Sequence, residues 1–536
     1  MGIYLNSTAP YDRYKTVTES RYFVDKSQLL EELIPELRQE QRFFCITRPR
    51  RFGKTVMANM VGAFFGKARD SSDVFERLEI AKSKHFQKHL NAHDVIYIDF
   101  SETPEKCESY GMYINRIAEQ LKEDLCSVYS DLSPDRGKAV WDILTLIFEK
   151  TGDKFIFVFD EWDAVFHMSF ITEADKMEYL HFLKVLLKGR SYVELAYITG
   201  ILPIAKYSDG SELNAFLEYN MATRVRFCEY FGFTDSEVDQ LYEQYRSLTV
   251  SPRFSREDLR EWYDGYRTAA GERLYNPRSV VCALTDNQLS NYWTSSGTYD
   301  AVFNYLKDHE EEVREDLVLL FAGEGIASDI QEYAASAQGL ATKTEIYSAM
   351  VVYGLLTYEN GEVYIPNKEL MGSYASMMKK EESLGYVYRL ACISGKMLRA
   401  TLEGDTETMA EILQYAHNTE SPILAHNHET ELSAIINLVY LSARDQYKVE
   451  REDKAGKGYV DFIFYPLQRS RDGIILELKV DGTPQAAIEQ VKKKGYMLKF
   501  QGKLAEKKIY TGRILAVGIG YDKKTKVHSC MVEVLV

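Results

Sequence analysis

The 536-residue sequence has no apolar run approaching the ~20 residues that a bilayer-spanning helix requires. It also lacks a cysteine framework. Its seven cysteines (45, 107, 126, 228, 282, 392 and 530) are scattered, odd in number and never in C-x-x-C spacing. Such a set excludes a disulfide scaffold or a cysteine zinc site, and reads as reduced thiols of a cytoplasmic protein. No basic segment followed by an apolar stretch opens the chain, so no secretion signal is expected of Met1-Gly-Ile-Tyr-Leu-Asn6. Gly2 makes no myristoylation signal, because Asn6 stands where Ser or Thr is required. Positive charge is in deficit, with 65 Lys and Arg against 80 Asp and Glu and a net charge of −15. That balance excludes indiscriminate coating of nucleic acid but leaves room for a local basic groove. What is present, 45% hydrophobic and 27% charged residues, is a globular composition at a length that should hold two to four domains.

The most informative stretch is Phe43-Phe-Cys-Ile-Thr-Arg48-Pro-Arg50-Arg51-Phe52-Gly53-Lys54-Thr55, followed by apolar residues at 56, 57, 60, 61, 64 and 65. A strand-forming run leads into a loop and then into one face of a helix. A helix opening on Gly-Lys-Thr offers unpaired amides and a partial positive charge to phosphate oxygens. Lys54 would reach the terminal phosphates of ATP, the Thr55 hydroxyl would ligate Mg²⁺, and Gly53 would let the backbone approach. Arg51 and Phe52 complete the cofactor-binding loop. The pattern G-x-x-x-x-G-K-[ST] wants glycine at position 48, where this chain has arginine. Three arginines crowded in one loop, Arg48, Arg50 and Arg51, are easier to tolerate around a bound anion.

Downstream, five apolar residues run into two acids in Phe155-Ile-Phe-Val-Phe159-Asp160-Glu161. An all-apolar strand reads as central and covered on both faces, and acids at its carboxyl end lie beside the phosphate loop of a doubly wound sheet. Asp160 would hold Mg²⁺ and Glu161 would orient and deprotonate the attacking water. An isolated Asp-Glu pair would sooner be a helix cap; its company with residues 48–55 favours the catalytic role. Val95–Phe100 and Glu194–Gly200 read as further strands. Thr199, at the end of the latter, is either a γ-phosphate sensor or an ordinary strand terminus. Arg224–Glu229 is expected as a fifth strand, with Arg224 and Arg226 more suited to surface solvation than to a transition state. The tyrosine-rich helices of 233–320 suit packing of a lid better than stacking on bases. Residues 343–367 read as a helix and a hairpin turned at Asn360-Gly361, a small winged-helix-like unit.

The C-terminal stretch has its own α/β pattern. Asp461 interrupts an apolar strand, and Glu477 and Lys479, two apart in Gly473–Val480, project to one strand face. Charges there are costly to bury without a purpose. Asp461 and Glu477 could ligate Mg²⁺ through oxygen, and Lys479 could help activate a water that attacks a phosphodiester. A bare Glu-x-Lys is abundant and would sooner be a salt bridge. The ordered set of a helix bearing Glu429 and Glu431, then Asp461, Glu477-Leu-Lys479 and Gln490, is far more specific.

Taken together, Tyr22-Phe-Val-Asp-Lys26, Arg48–Thr55, Phe159-Asp-Glu161, Trp262-Tyr-Asp-Gly-Tyr-Arg267 and Tyr275-Asn-Pro277 resemble the AAA-ATPase-like family of bacterial and archaeal proteins. There the first glycine of the phosphate loop is commonly replaced. Asp461, Glu477-Leu-Lys479 and Gln490–Tyr496 are similar to the PD-(D/E)XK nuclease domain that often ends such chains. The resemblance implies an α/β fold with a P-loop NTPase parallel-sheet core (1–232), a helical lid (233–320) and a restriction-endonuclease-like α/β domain (421–536). Between them, 321–420 holds the winged-helix-like unit read from its own pattern and a helical connector, without a specific family signature. It implies an ATPase using ATP and Mg²⁺, with nucleic acid, DNA or RNA, as partner, no membrane association, and homo-oligomerisation permitted. Either Glu429 or Glu431 fits the helix glutamate. Two readings follow: an ATP-controlled nuclease, or a switch ATPase whose C-terminal domain binds nucleic acid or a protein without cutting. The complete set of Asp461, Glu477 and Lys479 favours the first.

Overall fold

The computed structural model describes residues 2–204, 215–293, 310–330, 342–380, 382–418, 429–450, 461–468, 470–493 and 512–535. The chain divides into two compact units, Met1–Val302 with Ala327–Leu370, and Phe303–Ile326 with Met371–Val536.

The first unit is built on five strands, β1 (Phe43–Thr47), β2 (Asp94–Asp99), β3 (Phe155–Asp160), β4 (Val193–Gly200) and β5 (Leu217–Tyr219). All pair in parallel, in the order β2-β3-β4-β1-β5. Because all run the same way, their carboxyl ends gather Thr47, Asp99, Asp160 and Thr199 along one edge of the sheet. The helix Lys54–Phe65 covers the sheet through Met57, Val61 and Phe64 against Phe44, Ile46, Ile156 and Val158, the apolar spacing seen in the sequence.

The expected strand at Arg224–Glu229 does not form; β5 lies earlier. Phe227 takes a left-handed conformation (φ 69°) that opens a 3-10 turn, Cys228–Tyr230. This sets its ring edge-on to Tyr219 at 4.8 Å and to Phe44 at 5.8 Å. Aromatic packing has overridden the alternating pattern. Arg226 lies over Phe227 and pairs with Glu32 and Glu36 at 3.3 and 3.2 Å.

Lid helices Asp235–Leu248, Arg256–Tyr263 and Pro277–Asp286 begin at side-chain caps, Thr234, Ser255 and Asn276. Their tyrosines are core: Tyr245, Tyr263 and Tyr275 are fully buried among Phe233, Val238 and Val280. Two-residue strands β6 (Tyr266–Arg267) and β7 (Arg273–Leu274) separate the second and third of these helices. The short strand β8 (Ile326–Ala327) precedes the helix Lys343–Val352 and an antiparallel hairpin, β9 (Thr357–Glu359) and β10 (Glu362–Tyr364). Asn360 and Gly361, at φ 52° and 89°, make its turn, as Asn-Gly requires.

Gly265 joins lid and hairpin. Its φ is 112°, and a Cβ added there would lie 1.9 Å from the Pro366 carbonyl oxygen. Gly265→Ala should therefore destabilise the protein by about 2 kcal/mol or more, from strain plus backbone displacement. Chemical denaturation should show the loss, against near-neutrality for Gly271→Asn in open space at a similar positive φ.

At the amino edge of the sheet, a buried chain runs from His89 Nδ1 to His93 Nε2 (3.0 Å) and from His93 Nδ1 to Glu194 (2.9 Å). Arg38 donates to the other oxygen of Glu194 at 2.6 Å. Burial, then the neighbouring His93, Lys88 and His85, hold His89 down at about 4. An unfolded chain would take up that proton near pH 6.5. The unfolded state thus binds more protons between pH 6.5 and about 4, and stability is lost as pH falls through this window. The melting temperature should decline there in wild type and less steeply in His89→Gln.

The second unit holds a mixed sheet in the order β11-β12-β13-β14-β15: β11 (Tyr447–Glu450), β12 (Phe462–Pro466), β13 (Gly473–Val480), β14 (Ile514–Asp522) and β15 (Val527–Val534). Only β13 and β14 pair in parallel. The helix Pro484–Lys493 packs Ile488 and Val491 on Ile475, Ile514 and Ala516. Helices Glu310–Phe321, Tyr386–Glu403 and Thr406–Asn418, which the sequence reading assigns to lid and connector, are part of this unit. Tyr386–Glu403 is tied in by Ser394 to Ser442 (2.6 Å) and Thr401 to Tyr440 (2.7 Å).

Candidate functional site

In the first unit, Gly53 caps the helix Lys54–Phe65 in a left-handed conformation, φ 89°. Open space surrounds its Cα, so the backbone angle and not crowding demands glycine. The helix amino end opens on a cavity of about 520 Å³ lined by Arg51, Phe52, Gly53, Lys54, Thr55 and Glu161. That volume is ordinary for a cofactor site. Tyr22, Phe23 and Val24 and, from the lid side, Phe233 and Val281 supply apolar wall. The Lys54 ammonium is turned inward, donating to the carbonyls of Arg48 and Pro49 at 3.0 and 3.1 Å.

The three loop arginines do not share one anion site. Arg48 is fully buried and donates to the carbonyls of Thr47 (2.8 Å), Tyr219 (2.7 Å) and Phe227 (3.1 Å), with the Phe231 ring 4.9 Å away. Where the phosphate-loop pattern has glycine, this chain uses a guanidinium to bind β1 to β5 and the turn after it. Arg50 presents its carbonyl to Asn276 at 3.4 Å. Among the three, Arg51 lines the cavity.

Asp160 ends β3 fully buried. One of its oxygens accepts from the Thr199 hydroxyl and from the Glu161 amide at 3.2 Å; the other, Oδ2, has no hydrogen-bond partner among the described residues. Burial pushes this carboxyl up to about 6, Asp99 and Glu161 add to the rise, and the Thr199 and Thr55 hydroxyls oppose it. A buried carboxylate that interacts with the Thr55 hydroxyl is a donor set that fits a divalent cation. Thr199 orients Asp160 through its hydroxyl. Glu161 sits at φ 50°, a strained angle for a glutamate, and is held there by neighbours: the Trp162 amide donates to Thr199 O (3.0 Å) and Tyr179 donates to Trp162 O (2.8 Å).

Three residues here have places that the sequence reading did not give them. Asp163 is fully buried and accepts from the amides of Ile201 and Leu202 at 2.9 and 2.7 Å, turning the chain just past Thr199. Asn276 joins the lid to the phosphate loop, and Arg278, in the first turn of the helix that Asn276 caps, lines the cavity. The signals were at hand: Asp163 follows Asp160 by three residues, and Arg278 follows Tyr275-Asn-Pro277 directly.

In the second unit, Phe462 pairs with Leu476 across antiparallel strands, so the register continued by one residue sets Asp461 opposite Glu477. Directly opposed residues project to the same face with Cβ atoms about 5 Å apart. The Asp461 carboxylate accepts from the Leu478 amide at 2.6 Å. Glu477 is buried, and its Oε1 accepts from Lys479 Nζ at 2.9 Å and from Gln490 on the covering helix. Asp461, Glu477, Lys479 and Gln490 are thus brought together. The side chains of Glu429 and Glu431, at the start of the helix Glu429–Val439, and Lys494–Tyr496 lie outside the described residues.

The fold has two parts: an α/β core on a five-stranded parallel sheet, and a domain on a five-stranded mixed sheet. Residues 11–208 match the family described as Predicted AAA-ATPase, and residues 429–528 match the PD-(D/E)XK nuclease superfamily. The chain therefore carries an AAA-ATPase-like region followed by a PD-(D/E)XK superfamily region. Among solved structures it is similar to the Walker-type ATPase PABY2304 of Pyrococcus abyssi, at 14% identity and a TM-score of 0.33 over 65% of this chain and 94% of that one. It is also similar to the Aeropyrum pernix ORC1 protein in complex with DNA, at 14% identity and 0.27 over 70% and 98%. The Aeropyrum pernix ORC2 protein matches at 11% and 0.29 over 68% and 93%. No curated protein matches the chain. No helix among the described residues is long and apolar enough to cross a membrane.

Proposed function

We propose that this protein binds and hydrolyses ATP with Mg²⁺ in its first unit, and that nucleotide state controls a Mg²⁺-dependent phosphodiesterase in its second unit acting on DNA or RNA. The ATPase reading rests on Asp160, a fully buried carboxylate at the end of β3 that interacts with the hydroxyl of Thr55, at the opening of the Lys54 helix. Helix amides and Lys54 bind the phosphates, with Arg51 adding positive charge at the wall. Thr55 and Asp160 would hold the cation, which when bound neutralises charge developing on the phosphate oxygens. Glu161, strained into the cavity wall, takes a proton from the attacking water. Thr199 keeps Asp160 aimed.

The phosphodiesterase reading rests on Asp461 facing Glu477 with Lys479 on the same strand. The two carboxylates would hold Mg²⁺, Gln490 fixes the rotamer of Glu477, and Lys479 positions a water for in-line attack. One observation favours the second reading, a switch that binds without cutting. Glu477 Oε1 is already satisfied by Lys479 and Gln490, so that oxygen has its needs met by the chain itself. To decide, the full chain is incubated with DNA and RNA panels, Mg²⁺, and either ATP or none. ATP-dependent cleavage is the expected result; nucleic acid bound tightly but left intact in every condition would select the switch.

A further inference from the structure

Gly265-Tyr266-Arg267, the end of the stretch Trp262–Arg267, lines no part of the nucleotide cavity. These three residues grip the helix–hairpin unit instead. Gly265 approaches the Pro366 carbonyl as described. The Tyr266 hydroxyl donates to the Gly354 carbonyl at 3.2 Å. The Arg267 amide donates to the Thr357 hydroxyl at 2.7 Å, and its guanidinium pairs with Glu359 at 3.1 Å. Both of those partners are on β9.

Tyr266 also faces the other way. Its ring meets Phe52 of the phosphate loop edge-on, with centroids 4.8 Å apart, and both side chains are fully buried. Gly354, at φ 77°, presses on the same loop: a Cβ there would lie 2.6 Å from Pro49 Cβ. One buried pair, Tyr266 and Gly354, therefore touches the loop at two residues, Pro49 and Phe52. Lys54 donates to the Pro49 carbonyl, and Phe52 borders the cavity. When Lys54 leaves that carbonyl for a phosphate, the loop loses a hydrogen bond that fixes Pro49. Close-packed contacts of this kind shift between discrete arrangements and do not stretch.

We propose that Tyr266 is a positioning residue for the phosphate loop, and that through its contact with Gly354 nucleotide occupancy is transmitted to the hairpin at 357–364. The proposal rests on the ATP-binding reading. It is tested by hydrogen–deuterium exchange of the full chain with and without saturating MgATP, with affinities measured in parallel by calorimetry. In wild type, MgATP should change exchange at 357–364 by about fivefold or more, the low end of typical coupling between sites. Tyr266→Phe keeps the ring on Phe52 and loses the hydroxyl; it should bind MgATP with near wild-type affinity while the hairpin response disappears. A merely structural tyrosine would lower stability without separating the two measurements. Exchange at 357–364 that ignores MgATP in wild type, or a full response in Tyr266→Phe, would overturn the proposal. Calorimetry showing no nucleotide binding by wild type would remove the ATP reading, and this inference with it.

Discussion

Lys54→Ala should lower affinity for MgATP by roughly tenfold to a hundredfold, the value of a hydrogen bond to a charged group in a partly dry site. Lys54 is buried; its ammonium donates to the carbonyls of Arg48 and Pro49, and its charge also favours the ionised form of the buried Asp163. The fold should survive, since the helix it opens is anchored by Met57, Val61 and Phe64. Calorimetry on both proteins reads the difference directly, and equal affinities would remove the assignment. Hydrolysis is a separate matter carried by Glu161. Glu161→Gln should leave nucleotide binding near wild type and slow turnover by about 10²- to 10⁴-fold, the usual worth of a positioned base. Unchanged turnover would pass the role to another acid at the sheet edge, of which Asp99 is the nearest in register to Asp160.

In the second unit, Glu477→Ala should abolish phosphodiester cleavage yet leave nucleic-acid binding intact or slightly tighter. Glu477 is buried and accepts from both Lys479 and Gln490, and its register partner is Asp461. Removing it takes away half of the charge that would hold a cation, and also removes repulsion toward a phosphate backbone. Cleavage is followed on labelled DNA and RNA with Mg²⁺ or Mn²⁺, and binding by titration of the same substrates. Because truncation leaves Lys479 without its carboxylate, Glu477→Gln serves as the fold-preserving partner and should be equally inactive. Cleavage that persists in both Glu477→Ala and Asp461→Ala would point to a contaminating enzyme.

Much of this was legible in the sequence, because it depends on local periodicity. The strand Phe43–Thr47, the helix Lys54–Phe65, the apolar run into Asp160 and the hairpin at Asn360-Gly361 are each set by residues near one another in the chain. Glu477 and Lys479 on one face follow from the two-residue repeat of a strand. Tertiary contacts decided the rest. Arg48 reads as an anion-binding arginine until its guanidinium is claimed by the carbonyls of neighbouring Thr47 and of the distant Tyr219 and Phe227. Arg224–Glu229 alternates like a strand until Phe227 turns onto Phe44 and Tyr219. Thr199 becomes a partner of Asp160 only when β3 and β4 lie side by side. Tyr266 reads as one aromatic of a crowded motif until Phe52 and Gly354 close on it. Spacing and side-chain type are local, so they are enough to name the elements and the residues with chemistry to offer. Which of those residues face a cavity and which are spent holding the fold together was decided by long-range burial, where desolvation makes every buried polar group take whichever partner comes within reach.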